Sequence, residues 1–315
     1  MPLRLCEKKV KSMTTRKEFL SIAGMASIGV LKPDISNPFA NYPETRFRYC
    51  LNTSTVSKNP LYIIKYIDIA SEAGYDGIEI WIRDLKLYLD SGKKASDLRK
   101  YLADKNLTVE NAIGFAPWLA VKEAGFQQMK EEMEMVASIG GKRIAAPAAG
   151  VKGDKPLDLF MAGERYRELV QLGRETGVMP QLEFWGASNV LWHIGQTLMI
   201  VSVAGDKDAR ILPDVFHMFR GGSSFDTLKM IDGSLIDIFH FNDFISSKNR
   251  TNQNDSDRVY PGDGAAPFKE IISRLRMMGG EKVLSLELFN ETYWNEAPLS
   301  VAKTGLMKIK RLVNL

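Results

Sequence analysis

The chain has 315 residues, of which 45% are hydrophobic, 25% charged and 10% aromatic. This is the composition of a globular protein, and it excludes collagen-like, low-complexity and largely disordered chains. The length fits one large α/β barrel or two ordinary domains. Cys6 and Cys50 are the only cysteines. The sequence therefore offers neither a disulfide framework nor a thiolate metal site.

The net charge of +4 is unevenly distributed along the chain. Residues 1–33 contain seven basic and two acidic residues, which leaves a charge of −1 on the rest of the chain. A nearly neutral body lacks the basic surface that binds nucleic acid. We therefore expect no nucleic-acid partner.

The basic N-terminal segment is typical of an export signal. Its apolar run at residues 19–31 is too short to span a bilayer but has the length of a signal-peptide core. The residues TRKEFL resemble a twin-arginine signal in which lysine replaces the second arginine. We expect residues 1–33 to direct export to the periplasm and residues 34–44 to form a linker, with no membrane span after processing. The alternative is an N-terminal amphipathic helix on a cytoplasmic protein.

Beyond the linker, short apolar runs alternate with segments of helical period. The eight candidate strands are residues 46–52, 76–81, 108–115, 143–149, 179–185, 210–216, 236–242 and 283–289. Apolar stripes at 61–67 and 126–139 predict helices, and Ser223 and Ser224 are candidate N-caps for a stripe at 225–231. Eight strands alternating with helices predict a single (β/α)8 TIM barrel over residues 45–315. No glycine-rich nucleotide-binding loop follows the first strand, which disfavours a doubly wound sheet.

Four of the candidate strands end in titratable side chains. These residues are Glu183 on the fifth strand, Asp214 on the sixth, His240 on the seventh and Glu287 on the eighth. Functional groups of barrels gather at the C-terminal ends of strands, and a buried titratable group needs a partner. Three carboxylates and one imidazole therefore predict one divalent metal ion per chain. Their oxygen-rich chemistry favours Mn²⁺, Mg²⁺ or Co²⁺, with Zn²⁺ as a further candidate.

Six motifs in this chain resemble the xylose isomerase-like TIM-barrel superfamily, in its sugar phosphate isomerase/epimerase branch. They follow the family's order across about residues 45–312: GYDGIE at 74–79, QLE at 181–183, DVFH at 214–217, HFND at 240–243, DRVYPGDG at 257–264 and LELFN at 286–290. The resemblance implies metal ligands at Glu183, Asp214, His240 and Glu287. It also implies that His217 and Arg258 contact the substrate. Glu79 and Asp243 match acidic positions whose roles vary among family members.

One position departs from the pattern of the ketose 3-epimerases in this branch. Those enzymes carry a second glutamate six residues after the ligand on the fifth strand, and Asn189 stands there in this chain. The departure argues against a ketose 3-epimerase and a free ketose substrate. The chain also has only three histidines, which argues against the zinc endonucleases of the superfamily.

A divalent metal with Glu183 and Glu287 across a pocket suits proton abstraction next to a carbonyl. We expect a sugar isomerase or epimerase acting through an enediolate, with these two glutamates as the catalytic residues. One alternative is a lyase or dehydratase acting on an oxidised sugar such as a 3-keto-glycoside or inosose. Another is a non-catalytic carbohydrate-binding barrel. The sequence leaves the oligomeric state open under each of these interpretations.

Several other residues near the strand ends have less specific interpretations. Trp118 and Trp185 are candidate substrate-binding walls for a sugar face, or else ordinary barrel packing. Because Arg258 is the one obvious donor for a phosphate, the sequence favours a free or oxidised sugar over a sugar phosphate. His193 is expected to be structural, and residues 255–257 to form a solvent-exposed loop.

Overall fold

Eight parallel strands form the centre of the computed structural model, which describes residues 45–56, 58 and 61–314. The strands are β1 (Arg46–Asn52), β2 (Gly77–Trp81), β3 (Thr108–Ile113), β4 (Arg143–Ala146), β5 (Met179–Glu183), β6 (Ile211–Leu212), β7 (Ile238–Phe241) and β8 (Glu281–Leu286). All eight predicted strands are therefore confirmed. The predicted export signal (1–33) and linker (34–44) lie outside the described residues.

Most strands are shorter than predicted, and β6 is the extreme case. The sequence predicts residues 210–216, but only Ile211 and Leu212 pair as a strand. Regular strand pairing ends at Pro213, which has no N–H to donate, and beyond it Asp214 forms only an isolated bridge to His240. Asp214 then caps a helix instead of extending the strand.

Nine α-helices connect the strands in the described residues. The helices are α1 (Ile63–Ala73), α2 (Ile82–Asp90), α3 (Ala95–Asp104), α4 (Lys122–Ser138), α5 (Leu159–Thr176), α6 (Ile194–Ala204), α7 (Val215–Gly221), α8 (Phe268–Met277) and α9 (Pro298–Val313). The two predicted helical stripes correspond to α1 and α4. The third stripe forms a 3₁₀ helix at Phe225–Met230, with the Ser224 side chain accepting a hydrogen bond at its N-cap. None of the described helices is long and apolar enough to cross a bilayer.

Two parallel sheets make up the barrel wall, one in the order β3-β2-β1-β8-β7 and the other in the order β4-β5-β6. Asp214 and His240 form an isolated parallel bridge between the end of β6 and β7. Apolar side chains fill the space between strands and helices, including Leu51, Ile78 and Phe239. This packing makes the strands rigid and brings their C-terminal ends together, as expected for a (β/α)8 barrel.

Candidate active site

The four titratable strand-end residues lie at the same end of the barrel and are almost fully buried. Asp214, His240 and Glu287 can each direct one ligand atom into a group within 4.8 Å of one another. The closest approaches run from His240 Nδ1 to Glu287 Oε2, 3.1 Å, and to Asp214 Oδ2, 3.6 Å. Glu183 lies outside this triad but lines the same cavity as Glu287. The structure thus brings together three of the four predicted ligands as one cluster, with the fourth close by.

A fourth buried carboxylate, Glu79 on β2, orients the imidazole of His240. Glu79 Oε1 lies 3.0 Å from His240 Nε2, and both side chains are fully buried. This contact leaves Nδ1 of His240 as the nitrogen that faces Asp214 and Glu287. Burial by itself lowers the pKa of His240, but the carboxylates of Glu287 and Glu79 outweigh burial and raise the pKa well above its usual value. The site therefore stabilises positive charge at this imidazole.

Glu79 is held by polar side chains from the neighbouring strands. Asn52 on β1 and Asn111 on β3 lie beside Glu79 in the strand register. Asn111 donates to Glu79 Oε1 at 2.7 Å, while Asn52 and Ser285 donate to Oε2 at 2.8 and 2.7 Å. Asn52 also donates to Glu287 Oε1 at 3.0 Å. A single layer of the barrel interior therefore connects Glu79 to the metal-binding candidates.

Asp214 is positioned by the start of helix α7. It is the N-cap residue, and its Oδ1 accepts a hydrogen bond from the backbone N–H of His217 at 2.7 Å. Short polar side chains favour this position because they satisfy the free amides of a helix N-terminus. The other oxygen, Oδ2, accepts from Asn242 at 2.9 Å and faces His240. The spacing of the D-x-x-H motif is thus the spacing of a helix cap.

Arg258 is buried against the acidic cluster, where its donors meet protein groups. Its Nη1 donates to Asp214 Oδ2 at 2.7 Å and to Glu287 Oε2 at 2.9 Å. Its Nε and Nη2 donate to Asp255 Oδ1, and Nη2 also lies 3.1 Å from His217 Nε2. These contacts occupy the five N–H groups of a guanidinium. In this geometry the side chain neutralises and positions the carboxylates, and it also lines the cavity, so its contact with a substrate stays a prediction.

Asp255 has a role beyond that of the expected solvent-exposed loop. The sequence predicts a solvent loop at residues 255–257, and the side chain of Asp255 is indeed about half exposed. Its carboxylate nevertheless pairs with Arg258 at 2.7 Å and lines the cavity. The following loop is tied down by Asp243, whose carboxylate accepts from the backbone amides of Gly262 and Gly264. Asp243 therefore has a structural role in this arrangement.

The charge balance and the donor set of the cluster fit a divalent cation. One guanidinium and one imidazole face five carboxylates, those of Glu79, Glu183, Asp214, Asp255 and Glu287. Moreover, the buried Nδ1 of His240 makes no hydrogen bond within the described part of the chain. Buried charges need partners, and carboxylate oxygens with one imidazole nitrogen suit a divalent ion. Asp214, His240 and Glu287 would hold it, with Glu79 fixing the tautomer of the histidine.

A cavity of about 470 Å³ opens above this cluster. Glu183, His217, Arg258 and Glu287 lie at its polar side, and its apolar wall consists of Trp81, Phe115, Trp185 and Phe289. The ring centroids of Phe115 and Trp185 lie 6.0 Å apart, and those of Trp81 and Phe115 lie 5.5 Å apart. Aromatic faces of this kind bind the C–H faces of polyols while the polar groups fix orientation.

The two tryptophans predicted as sugar walls have different positions. Trp185 lines the cavity. Trp118 is fully buried in the core, where its indole Nε1 donates to the carbonyl of Pro147 at 2.8 Å and its ring packs against Tyr166. Trp118 has no surface left for a substrate, so packing is the role that the structure gives it. His193 is the N-cap of α6, which is the structural role expected for it.

The two carboxylates that face the cavity differ in their surroundings. Burial, together with the negative charges of Glu287 and Asp214, raises the pKa of Glu183 to about 8, although His240 opposes the shift. Glu287 instead accepts hydrogen bonds from Asn52 and Arg258. Two carboxyl groups in different surroundings therefore share one cavity, which is the arrangement of an acid–base pair.

Several cavity residues have no distinctive signal in the sequence. Trp81, Phe115 and Phe289 follow apolar strands and look like further core positions. One signal in the sequence would have drawn attention to the layer around Glu79. It is the polar residue Asn52 at the end of β1, a strand that pairs with both β2 and β8.

Comparisons with known proteins agree with this architecture. A family model described as xylose isomerase-like TIM barrel matches residues 67–312. An inosose isomerase of Bacillus velezensis is 28% identical over 275 residues, which cover 82% of this chain and 94% of the relative. An inosose isomerase of Halalkalibacterium halodurans is 26% identical over 276 residues, covering 82% and 93%.

A solved structure described as IOLI protein with a binding zinc atom superimposes with a TM-score of 0.77 at 25% identity. The match covers 85% of this chain and 98% of that protein. The family model spans most of the described barrel, including all four predicted metal ligands. The chain therefore belongs to the xylose isomerase-like TIM barrel family.

Proposed function

We propose that this chain is a divalent-metal-dependent isomerase or epimerase of sugar-like ketones that moves a proton on a carbon next to the carbonyl. The observation that carries the proposal is the cavity in which Glu183 and Glu287 lie beside the Asp214–His240–Glu287 triad. Such a constellation combines acid–base groups with a site for a Lewis acid. A non-catalytic carbohydrate-binding barrel would not need this combination.

The protein groups have separable tasks in this proposal. Asp214, His240 and Glu287 hold the ion, and Glu183 is a further ligand by family resemblance. When bound, the ion supplies electrostatic stabilisation for negative charge that develops on a carbonyl oxygen of the substrate. Arg258 keeps the carboxylates of Asp214 and Glu287 in place.

Glu183 and Glu287 handle the proton. One carboxylate removes the proton from carbon, and the other returns a proton to the same or the adjacent carbon. Return to the same carbon from the opposite face gives an epimer, and return to the adjacent position gives an isomer. The position of Glu183 beside Glu287 in the cavity supports its role in proton transfer.

The substrate class follows from the cavity wall and from the relatives. Trp81, Phe115 and Trp185 offer apolar faces, while the opposite side of the cavity is polar. A cyclic polyhydroxy ketone has one C–H face and several hydroxyl groups, so it matches both sides. The curated relatives are named inosose isomerases, which supports a cyclic keto-polyol such as an inosose.

Proton NMR in D₂O tests the proposal directly. Mg²⁺-loaded protein is incubated with inososes, ketoses and 3-keto-glycosides, alongside protein stripped with EDTA. We expect metal-dependent deuterium incorporation next to the carbonyl together with an epimer or isomer. Glu287→Gln should abolish the exchange in excess metal, while the buried but remote Glu132→Gln should retain it.

The outcomes separate this proposal from its alternatives. Loss of water or an aglycone, with an unsaturated product, would assign the site to a lyase or dehydratase. Saturable binding of an inosose without any exchange would assign it to a carbohydrate-binding barrel. Full exchange by Glu287→Gln would remove Glu287 from the mechanism.

A further inference from the structure

A second cavity, of about 370 Å³, adjoins the candidate active site. The two cavities share Ala187 and Ser188 in the loop after β5. The second cavity is lined mainly by polar groups and backbone, and its side-chain donors are those of Ser188, Asn189, Trp192, Arg220 and Arg250. The second cavity therefore lies next to the candidate active site, and this loop segment contributes to the lining of both.

Two arginines give this second cavity its chemical character. Arg220 Nε donates to the carbonyl of Gln253 at 2.8 Å, and Arg250 Nη1 donates to the carbonyl of Arg220 at 2.6 Å. Within the described residues, neither guanidinium has an ion-pair partner, and no acidic side chain lines the cavity. Both side chains are thus held by backbone carbonyls, and Arg250 also lines a neighbouring cavity together with Asp226 and Glu270.

The remaining lining residues preserve this positive character. Asn189, at the position where the ketose 3-epimerase pattern has a glutamate, is neutral and lines this cavity rather than the first one. Its side chain packs beside Gly153. An acidic residue at this position would neutralise one of the arginines, and the neutral amide instead leaves a hydrogen-bond donor.

The loop after β5 contacts helix α7 closely beside the second cavity. A Cβ on Gly186 would lie 2.6 Å from the backbone nitrogen of Gly221, and a Cβ on Gly221 would meet the carbonyl of Trp192. Glycine at both positions lets the loop after β5 rest directly on helix α7. That helix has Asp214 at its N-cap and Arg220 near its C-terminus. Six residues at 1.5 Å per residue separate them by roughly 9 Å.

We propose that this second cavity is a subsite for an anionic group, a phosphate or a carboxylate, carried by the substrate whose ketone is processed at the triad. Guanidinium groups recognise both anions through paired N–H donors. The inference rests on the proposed function in one respect, namely that the anion is attached to a sugar whose ketone reacts at the triad. Binding of the anion itself does not depend on the proposed function. It reverses the sequence-based preference for an uncharged sugar, because the cationic groups come from a region that the sequence does not connect to the site.

Binding of inorganic phosphate to Mg²⁺-loaded protein tests the subsite without knowledge of the substrate. Titration calorimetry would compare the native chain with Arg220→Gln and Asn189→Asp, each of which makes the cavity more negative. Arg311→Gln is the matched control, since Arg311 is exposed on α9. We expect saturable binding that weakens at least tenfold in both cavity variants and is unchanged in the control. No saturable binding, or equal binding in all four proteins, would overturn the subsite.

A parallel titration with glucuronate distinguishes the two sources of the anion. Binding of glucuronate that Arg220→Gln weakens identifies a sugar acid as a ligand, whereas binding of phosphate alone identifies a phosphate ester. Deuterium exchange with an uncharged inosose, measured in the native chain and in Arg311→Gln, tests the triad separately from the subsite. Absence of exchange in every protein, with phosphate binding retained, would refute the proposed function and leave the anion subsite standing.

Discussion

Glu79 offers the sharpest test of the metal-site geometry, because in the proposed mechanism it contacts neither the metal nor the substrate and acts only through His240. Its carboxylate accepts from His240 and Asn111 on Oε1 and from Asn52 and Ser285 on Oε2. The substitution Glu79→Gln keeps the size of the side chain and removes its charge. We predict that it lowers the affinity for a divalent ion while the barrel remains folded.

The hydrogen bonds indicate how the glutamine would sit. Its oxygen should stay toward His240 and Asn111, because both donate. Its NH₂ group would then face Ser285, whose hydroxyl can turn to accept, and Asn52. Asn52 cannot turn its amide, since its Oδ1 already accepts from Ser54 and Trp81. The variant therefore loses one hydrogen bond and the charge behind His240, and keeps the imidazole orientation.

Changes behind a metal-binding histidine cost about 10- to 100-fold in metal affinity. Because the orientation survives, we expect the lower end, about tenfold, or about 1.4 kcal/mol. Calorimetric titration with Mn²⁺ measures the affinity, and Glu132→Gln is the control for burial of a neutralised glutamate. Affinity within twofold of the native chain for Glu79→Gln would refute a coupling between Glu79 and the metal.

Three further predictions concern stability and export. Arg258→Gln should leave Asp214 and Glu287 without their counter-charge and destabilise the fold by about 3–5 kcal/mol, the usual cost of breaking a buried ion pair. Saturating Mg²⁺ should reduce that loss in thermal unfolding, and an equal loss with and without the ion would contradict the charge-balance argument. Burial raises the pKa of Glu132, whose Oε2 has no hydrogen-bond partner among the described residues. The folded state therefore binds the carboxyl proton of Glu132 more tightly than the unfolded state does. The stability that this protonation contributes is lost as pH rises through the raised pKa. Glu132→Gln should accordingly stabilise the chain at pH 7 by about 1 kcal/mol, and the difference from the native chain should disappear near pH 4. Urea unfolding measures this difference, and a difference that does not change with pH would exclude the effect. A fusion of residues 1–45 to a reporter should be exported. Substitution of Lys8, Lys9 and Lys17 by glutamine should retain the reporter in the cytoplasm. Export without these charges would argue against the signal.

Much of the fold is encoded locally, and the sequence indicated it without tertiary information. Mostly apolar runs such as those of β2 and β7 have the length of strands and are buried along almost their whole length, because strands of a parallel barrel are buried on both faces. The four polar residues that interrupt this pattern at strand ends are visible for the same reason: a charged group among apolar neighbours is costly without a partner. Hence Asp214, His240 and Glu287 could be grouped from sequence, and the structure brings their ligand atoms together.

Strand ends and partner choice depend instead on contacts between distant segments. The sequence could not show that β6 stops at Leu212, since the competing helix cap at Asp214 depends on where α7 packs. It also placed Trp118 and Trp185 in the same class, although one is buried against Tyr166 and the other lines the cavity. Residue type is the same in both cases, and the neighbouring elements decide its role.

Electrostatic roles are where tertiary structure decides most. Arg258 looks like a substrate donor in its motif. Its neighbour Asp255 and the approach of Asp214 and Glu287 from two other segments commit its donors to the protein. Likewise, Arg220 and Arg250 become one cationic surface because two glycines let the loop after β5 cross helix α7. The sequence by itself determined which chemical groups the barrel carries and at which end. Their pairing, and so the charge left over for a ligand, was set by distances between residues far apart in the chain, which local pattern does not encode.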